Sequence, residues 1–177
     1  MRREEVLEYE ARRRLYGLIS EEPGLHMREL ERRSRMPLST LRHHLRYLAE
    51  HALVDAVEDR NVVRYFAATF LEPVDRMTLG ALRQESLRRV LLYLLQHGGA
   101  AAYKDLLADI GAPASTLAVY LAELTRRELV ERRLLGRESR YELRDAERVV
   151  RLLHTYRASF LDALVDHLLD VVYQDEP

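Results

Sequence analysis

The sequence predicts a mainly α-helical protein with small β-hairpin wings, arranged as two tandem copies of one domain followed by a long C-terminal helix. Three observations predict this fold. The second half of the chain repeats the first at a fixed spacing, apolar residues recur at helical spacing, and polar turns separate short β-prone segments. A chain of 177 residues is long enough for two small domains.

The repeat aligns Pro37 with Pro113 and keeps this same spacing throughout, without a gap. Its best stretches are 37–48 and 113–124, which read PLSTLRHHLRYL and PASTLAVYLAEL. Further matches place Leu53-Val54 on Leu129-Val130 and Arg64-Tyr65 on Arg140-Tyr141. A period of this length indicates a duplicated domain and not a solenoid repeat.

Each copy is expected to contain three helices and a two-stranded hairpin. The expected helices span about 4–20, 26–34 and 37–51 in the first copy and about 86–97, 102–110 and 113–127 in the second. The hairpins are expected to turn at Asp59-Arg60-Asn61 and Gly136-Arg137-Glu138. This order, with a tight turn between the second and third helices, is that of a winged helix-turn-helix. We therefore expect such domains at residues 1–72 and 73–144, and a C-terminal amphipathic helix at 145–177.

Four segments of the first copy resemble a known family of regulators. These segments are Met27–Leu30 (MREL), residues 38–45 (LSTLRHHL), Ala52–Val54 (ALV) and Arg64-Tyr65. Together they resemble the helix-turn-helix of ArsR/MarR-like winged-helix transcription regulators. The whole chain, including the segment YRASFLDALVD at 156–166, is similar to predicted archaeal regulators with two winged-helix domains. The resemblance implies the fold and DNA binding. Winged helices also serve as protein-interaction modules, so the fold alone leaves both functions open.

The third helix of the first copy carries the candidate DNA-reading face. Its apolar spacing turns Leu41, His44, Leu45 and Leu48 towards the core, and we interpret His44 as a packed, hydrogen-bonded core residue. The candidate contacts on the remaining surface are Ser39, Thr40, Arg42, His43, Arg46 and Tyr47. Arginine can donate two hydrogen bonds to guanine, hydroxyl groups are short and adaptable, and this face has no acid before Glu50. The alternative is an ordinary solvated surface.

The corresponding face of the second copy is small and apolar. It consists of Ser115, Ala118, Val119 and Ala122. Such a face can touch thymine methyl groups, but exposed alanine and valine are more typical of protein–protein packing. Ser115 and Thr116 are the candidate DNA contacts on this helix.

The wings supply a second set of candidate DNA contacts. Arginines of a wing typically hold the DNA backbone or enter the minor groove. The candidates are Arg60 and Arg64 in the first wing and Arg137 in the second, which also carries Arg132, Arg133 and Arg140. Arg64 and Arg140 precede tyrosines in the predicted strands, so structural roles are equally expected for these two.

Composition limits the remaining function classes. The chain has no cysteine, which excludes disulfides and thiolate chemistry and fits a cytoplasmic location. The N-terminus turns acidic where a signal peptide needs an apolar core, and no apolar run is long enough for a membrane span. The net charge of −1 argues weakly against nucleic-acid binding. However, residues 145–177 hold 3 basic and 7 acidic residues, so an acidic tail masks a neutral-to-basic body.

The C-terminal segment is expected to form one amphipathic helix from Asp145 to about Tyr173. Its apolar stripe favours pairing between two subunits, with packing inside one chain as the alternative. Asp162, Asp166 and Asp170, with His167 beside them, form a weak metal-ligand set, and a solvated acidic face explains them better. No nucleotide loop, nucleophile elbow or zinc-protease motif occurs. We expect no catalytic activity, no metal and no cofactor.

These observations favour a homodimeric, sequence-specific transcription regulator that binds double-stranded DNA and not a membrane. The alternative from another class is a non-DNA adaptor, a tandem winged-helix subunit of a chromosome or transcription complex. Near-neutral net charge and the apolar face of the second copy suit that alternative. A ligand-gated or metal-gated sensor is a third and weaker hypothesis.

Overall fold

The structure is a computed structural model that describes residues 9–68 and 71–160. The chain divides into two compact units, Met1–Gly80 and Ala81–Pro177. The described part is mostly helical, with two small antiparallel sheets of three strands. The strand orders are β1-β3-β2 in the first unit and β4-β6-β5 in the second.

The elements of the two units follow one order along the chain. In the first unit they are α1 (Glu10–Glu21), β1 (Leu25–His26), α2 (Met27–Ser34), α3 (Leu38–Glu50), β2 (Val54–Asp59) and β3 (Val62–Ala67). Helix α4 (Pro73–Leu82) contains the boundary between the units. In the second unit they are α5 (Glu85–Gln96), β4 (Ala100–Ala102), α6 (Tyr103–Ile110), α7 (Ala114–Arg126), β5 (Val130–Leu135), β6 (Glu138–Leu143) and α8 (Ala146–Thr155).

The repeat spacing seen in the sequence, which aligns Pro37 with Pro113, reappears in these bounds. Helices α2 and α3 and strands β2 and β3 all recur at that spacing, as α6, α7, β5 and β6, with both ends matching. The helices predicted around 26–34, 37–51, 86–97, 102–110 and 113–127 are confirmed to within one or two residues. Both hairpins turn where the sequence predicts, between Asp59 and Val62 and between Leu135 and Glu138.

Backbone torsions repeat in the same way. Residues with positive φ occur in three pairs at the repeat spacing: Arg35 (56°) and Gly111 (69°), Ala52 (52°) and Glu128 (57°), Arg60 (57°) and Gly136 (64°). The left-handed conformation is unfavourable for residues with a Cβ and is easily adopted by glycine. At two of these left-handed positions the first unit therefore has arginine, whereas the second unit has glycine.

Changing Arg35 to glycine is expected to stabilise the protein. Arg35 is exposed and ends helix α2 in the left-handed conformation, where its counterpart is Gly111. Removing the Cβ strain should outweigh the added entropy of the unfolded chain, with a gain of roughly 0.5–1 kcal/mol. Chemical denaturation measures the free energy of unfolding. The control is Arg32→Gly, an exposed position inside α2, which should lose about 1 kcal/mol. A loss of stability for Arg35→Gly as well would disprove the strain.

The core of the first unit forms where the three helices meet the sheet. Its buried residues are Leu15, Ile19, Leu25, Leu30, Leu41, Leu45, Leu48, Leu53 and Val54. Helix α2 begins with a capping box, because the His26 side chain accepts from the backbone of Arg28 while Glu29 accepts from the backbone N–H of His26. Helix α3 begins directly after Pro37, which fixes the backbone at the helix start.

Three features differ from the sequence-based expectation. The two-residue and three-residue strands β1 and β4, and the helix α4, were not predicted. The predicted single helix from Asp145 to about Tyr173 is wrong in its described part, because α8 ends at Thr155 and a 3₁₀ turn follows at Arg157–Ser159. Residues 161–177, including Asp162, Asp166, His167 and Asp170, lie outside the described residues.

Tertiary contacts explain why the C-terminal helix ends early. Arg83 donates hydrogen bonds to the carbonyl oxygen and the hydroxyl group of Ser159, at 3.1 and 2.9 Å. The guanidinium carbon of Arg83 also lies 4.8 Å from the ring centroid of Phe160. Ser159 and Phe160 are buried, so the chain turns inward instead of continuing the helix. The apolar residues Val149, Leu152 and Leu153 are likewise buried within this single chain, as the intramolecular alternative requires.

Candidate nucleic-acid interface

Helix α3 turns one apolar side inward and one polar side to solvent. The predicted inward residues are confirmed, since Leu41, His44, Leu45 and Leu48 are all buried. The exposed candidates are Ser39, Thr40, Arg42, His43 and Arg46. The sequence-predicted face is therefore brought together as one accessible surface. Whether that surface contacts DNA stays a prediction.

The two arginines of this face are available to a partner molecule. Arg46 approaches Glu50 at 3.5 Å, with the two side chains 76% and 59% exposed. Ion pairs this exposed contribute about 0–1 kcal/mol and are easily exchanged for a better partner. Arg42 is exposed, and within the described residues it makes no ion pair. Its charge lies near Tyr65, where burial raises the pKa of the phenol and Arg42 opposes that rise.

His44 lies behind the exposed face, 6% exposed. Its predicted burial is confirmed, but its Nδ1 atom has no hydrogen-bond partner within the described residues, so the expected hydrogen bond is not seen at that nitrogen. Burial is the largest cause that lowers the pKa of His44, and the charges of His43 and Arg12 lower it further. The ring of Tyr9 lies 5.4 Å from that of His44. A neutral His44 therefore lies on the buried side of α3, packed near Tyr9, and is not exposed to read bases.

Tyr47 is held in place by neighbours that the sequence analysis missed. The guanidinium carbon of Arg12, from helix α1, lies 4.1 Å from the centroid of the Tyr47 ring. On the same helix, His51 stacks on Tyr47 with a centroid distance of 4.3 Å. Tyr47 is partly buried, so it borders the exposed face and stiffens it. The i, i+4 spacing of Tyr47 and His51 was a visible signal for their stacking, whereas the Arg12 contact had none.

The two candidate arginines of the first wing differ in exposure. Arg64 is only 5% exposed; it donates to the carboxylate of Asp59 and, through Nη1, to the carbonyl oxygen of Gly24 at 2.8 Å. A guanidinium so placed is paired and inaccessible in this structure, which favours a structural role for Arg64 over DNA contact. Its structural role was the alternative that the sequence left open. Arg60 is exposed in the turn of the hairpin, as expected.

Helix α7 of the second unit presents the small apolar surface that its sequence predicts. Ser115, Ala118, Val119 and Ala122 are exposed, Val119 to 55%, and Thr116 is half-buried. Leu117, Leu121 and Leu124 are buried on the opposite side. The C-terminal end of this helix also holds a buried ion pair that the sequence did not indicate. It joins Glu123 and Arg127, which are 6% and 5% exposed.

The second wing exposes the arginine at the turn and also the counterpart of Arg64. Arg137 lies in the turn and Arg140 in strand β6, and both are exposed. Within the part of the chain that the structure describes, neither of them makes an ion pair. Arg140 occupies the position that corresponds to Arg64, so the same strand position holds a buried arginine in the first hairpin and an exposed arginine in the second.

Two other kinds of site are absent from residues 9–68 and 71–160. No group of three or more His, Asp or Glu side chains there is arranged to hold a metal ion. No helix in those ranges has both the length and the apolar character needed to cross a membrane.

Two comparisons show similarity to known helix-turn-helix proteins, one within residues 9–79 and one over most of the chain. Residues 9–79 match the family model of an N-terminal helix-turn-helix (HTH) domain. The chain is also 27% identical, over 143 residues, to an uncharacterized HTH-type transcriptional regulator of Methanocaldococcus jannaschii. That alignment covers 81% of this chain and 36% of the relative, so the chain spans about a third of the relative's length. The first unit, with α2 and α3 as the two helices of the motif, is thus similar to known HTH domains.

Proposed function

We propose that this protein is a sequence-specific, DNA-binding transcription regulator with two tandem winged helix-turn-helix domains. The exposed face of α3 carries the proposal, because Arg42, His43 and Arg46 are exposed on the second helix of the helix-turn-helix. Helices in this position enter the major groove, which is wide enough for a helix and shows donors and acceptors that arginine can read. The similarity to HTH-type regulators supports the same function.

The tandem arrangement is supported by the repeated element bounds and torsions. Four elements and three positive-φ positions recur at one spacing, which independent domains of unrelated origin would not share. The proposed domains are those expected from the sequence, residues 1–72 and 73–144. The function proposed for both is binding and not catalysis.

Homodimerisation is a separate part of the proposal. Regulators that bind two-fold operators generally place one helix-turn-helix on each half-site, so a dimer matches the symmetry of such DNA. The apolar residues Val149, Leu152 and Leu153 of α8 are buried within their own chain, so this part of the apolar stripe is not free to pair with a second subunit. Analytical ultracentrifugation of the full chain, with and without bound DNA, decides the stoichiometry.

The experiment that tests DNA binding is a salt titration on bulk genomic DNA. Neutralising phosphates with arginine releases counterions, so the logarithm of the binding constant should fall linearly with the logarithm of salt concentration. For about four phosphate contacts the expected slope is roughly −3 to −4. In vitro selection would then give the preferred sequence. Absence of any retention on DNA at low salt would contradict the proposal.

A protein adaptor is the second candidate function, and one observation favours it. The exposed face of α7 is small and apolar, and Val119 is 55% exposed, which suits a protein partner better than a phosphate backbone. The salt titration separates the two functions, because an adaptor would not bind bulk DNA at any salt concentration.

A further inference from the structure

The turn of the second hairpin exposes two adjacent leucines. Leu134 and Leu135 are 68% and 61% exposed, the highest values among the large apolar side chains that the structure describes. They lie at the end of strand β5, next to the turn formed by Gly136 and Arg137. Because exposed leucine adds nothing to folding stability, this pair requires another explanation.

The two leucines point to opposite faces of the hairpin. Successive side chains of a strand alternate, and here Leu134 lies across from Ser139 while Leu135 lies across from Glu138. A flat protein surface or a second sheet would cover only one of the two. A slot with two walls covers both. The minor groove, about 6 Å wide in straight DNA, becomes wide enough for such a tip only when an inserted side chain bends the duplex and opens the groove.

Arginines surround the leucines on the same hairpin. Arg137 occupies the turn, and Arg133 lies directly across from Arg140 in the sheet register. Like charges across a strand pair repel one another, and only Arg133 is offset by acids, Glu142 at 3.2 Å and Glu131 at 3.6 Å. A polyanion beside Arg137 and Arg140 would supply the missing counter-charge. The apolar tip and the arginines beside it together fit a nucleic-acid duplex. The phosphate charges of a duplex lie on its outside, where the arginines would be, and its stacked bases lie within the groove, where the tip would be.

The first hairpin has the same fold but a different tip, so the fold alone does not require exposed leucines beside arginines. Both hairpins have six-residue strands and the same register. The equivalents of Leu134 and Leu135 in the first hairpin are Glu58 and Asp59. Two acids at that tip would repel phosphates, and the corresponding arginine, Arg64, is buried, whereas the acid at the second tip, Glu138, is paired with Lys104 at 3.0 Å. Only the second hairpin therefore has both features.

We propose that the β5–β6 hairpin enters the minor groove of double-stranded DNA and wedges a leucine between two base pairs, which bends the duplex. This inference rests on the DNA-binding function proposed above. Apolar wedges of this kind partly unstack one base step and kink DNA towards the major groove. Pyrimidine–purine steps such as TA and CA unstack most easily, so the hairpin should favour them at its point of entry.

The test measures the bend by energy transfer between dyes at the two ends of a selected DNA duplex. The full-length protein should shorten the end-to-end distance. The variant Leu134→Ser/Leu135→Ser should still bind but lose the bend. The matched control is Val62→Ser/Val63→Ser, which alters two exposed valines of the first hairpin and should bend DNA like the unaltered protein. As a second readout, Arg137→Ala should reduce the salt slope by about 1.

Several results would overturn the wedge. These are a straight duplex in the complex, an undiminished bend with the leucine variant, or the same loss of bend with the valine control. Self-association of the protein that the leucine variant abolishes would assign the tip to a second copy of the chain and also overturn it. Failure of the unaltered protein to bind any DNA is a different outcome, because it contradicts the proposed function itself. The substituted residues are exposed, so each variant should remain folded, and thermal unfolding checks this for each of them.

Discussion

Replacing Glu123 by glutamine is expected to lower the free energy of unfolding by about 3–5 kcal/mol. The carboxylate of Glu123 accepts hydrogen bonds from Arg126 and from Arg127, both with one contact at 2.7 Å. Arg127 is as buried as Glu123, so the substitution would remove a carboxylate charge that faces a buried guanidinium in the second unit. Breaking a buried pair from one side costs far more than an exposed pair contributes.

Urea denaturation measures this loss, and the matched control is Glu50→Gln. Glu50 forms an exposed i, i+4 pair with Arg46, so its substitution should change stability by less than about 0.5 kcal/mol. The double variant Glu123→Leu/Arg127→Met, which removes both charges, should recover much of the loss. Equal stability of Glu123→Gln and the unaltered protein would show that the pair contributes nothing.

The same residue predicts how stability depends on pH. The hydrogen bond from Arg126 outweighs burial, which alone would raise the pKa, and with the hydrogen bond and charge of Arg127 it lowers the pKa of Glu123 to about 2. A lowered pKa stabilises the folded state at neutral pH, where the carboxylate is charged. That stability is lost as the pH falls from about 4.5 towards 2. In Glu123→Gln this part of the acid sensitivity should disappear.

The double variant Arg42→Ala/Arg46→Ala is expected to weaken binding to the selected DNA by at least about 30-fold, from roughly 1–3 kcal/mol for each base contact. Both side chains are exposed on one face of α3, and the single pair that Arg46 makes is weak. Loss of base contacts should also reduce the preference for the selected sequence over a scrambled one. Fluorescence anisotropy with both duplexes measures affinity and preference together.

The control for this experiment removes the same charge elsewhere in the unit. Arg13→Ala/Arg14→Ala alters two exposed arginines of helix α1. It should lower the affinity for both duplexes slightly and leave their ratio unchanged, because a general loss of positive charge carries no sequence information. A preference that survives in Arg42→Ala/Arg46→Ala would place the base-reading surface outside α3.

Local patterns were sufficient to predict most of the helices and both hairpins. The spacing of Leu41, Leu45 and Leu48 predicts which side of α3 is buried, because helical periodicity is a property of neighbouring residues. Pro37 and Pro113 mark the starts of the two equivalent helices for the same reason. The candidate face of α3 follows from that periodicity, since the exposed side is the complement of the buried side.

Features that depend on distant residues could not be predicted. Burial of Arg64 requires the carbonyl of Gly24, 40 residues earlier, and no pattern around either residue signals the contact. The break after Thr155 similarly depends on Arg83, which lies far from Ser159 in the sequence. Strands β1 and β4 span two and three residues, too short for any alternation to be visible.

The difference between Arg64 and Arg140 has a consequence for which substitutions each hairpin can accept. Asp59 lies near Arg64 and neutralises it, whereas the equivalent position, Leu135, has no charge to offer Arg140. The difference between aspartate and leucine at this one position thus affects two features, the counter-charge of the arginine and one of the two side chains at the tip. In the first hairpin, replacing Asp59 by leucine would take this carboxylate from a buried arginine, so the change should cost stability as the loss of Glu123 does. Leucine at this position is therefore compatible with the exposed arginine of the second hairpin and not with the buried arginine of the first.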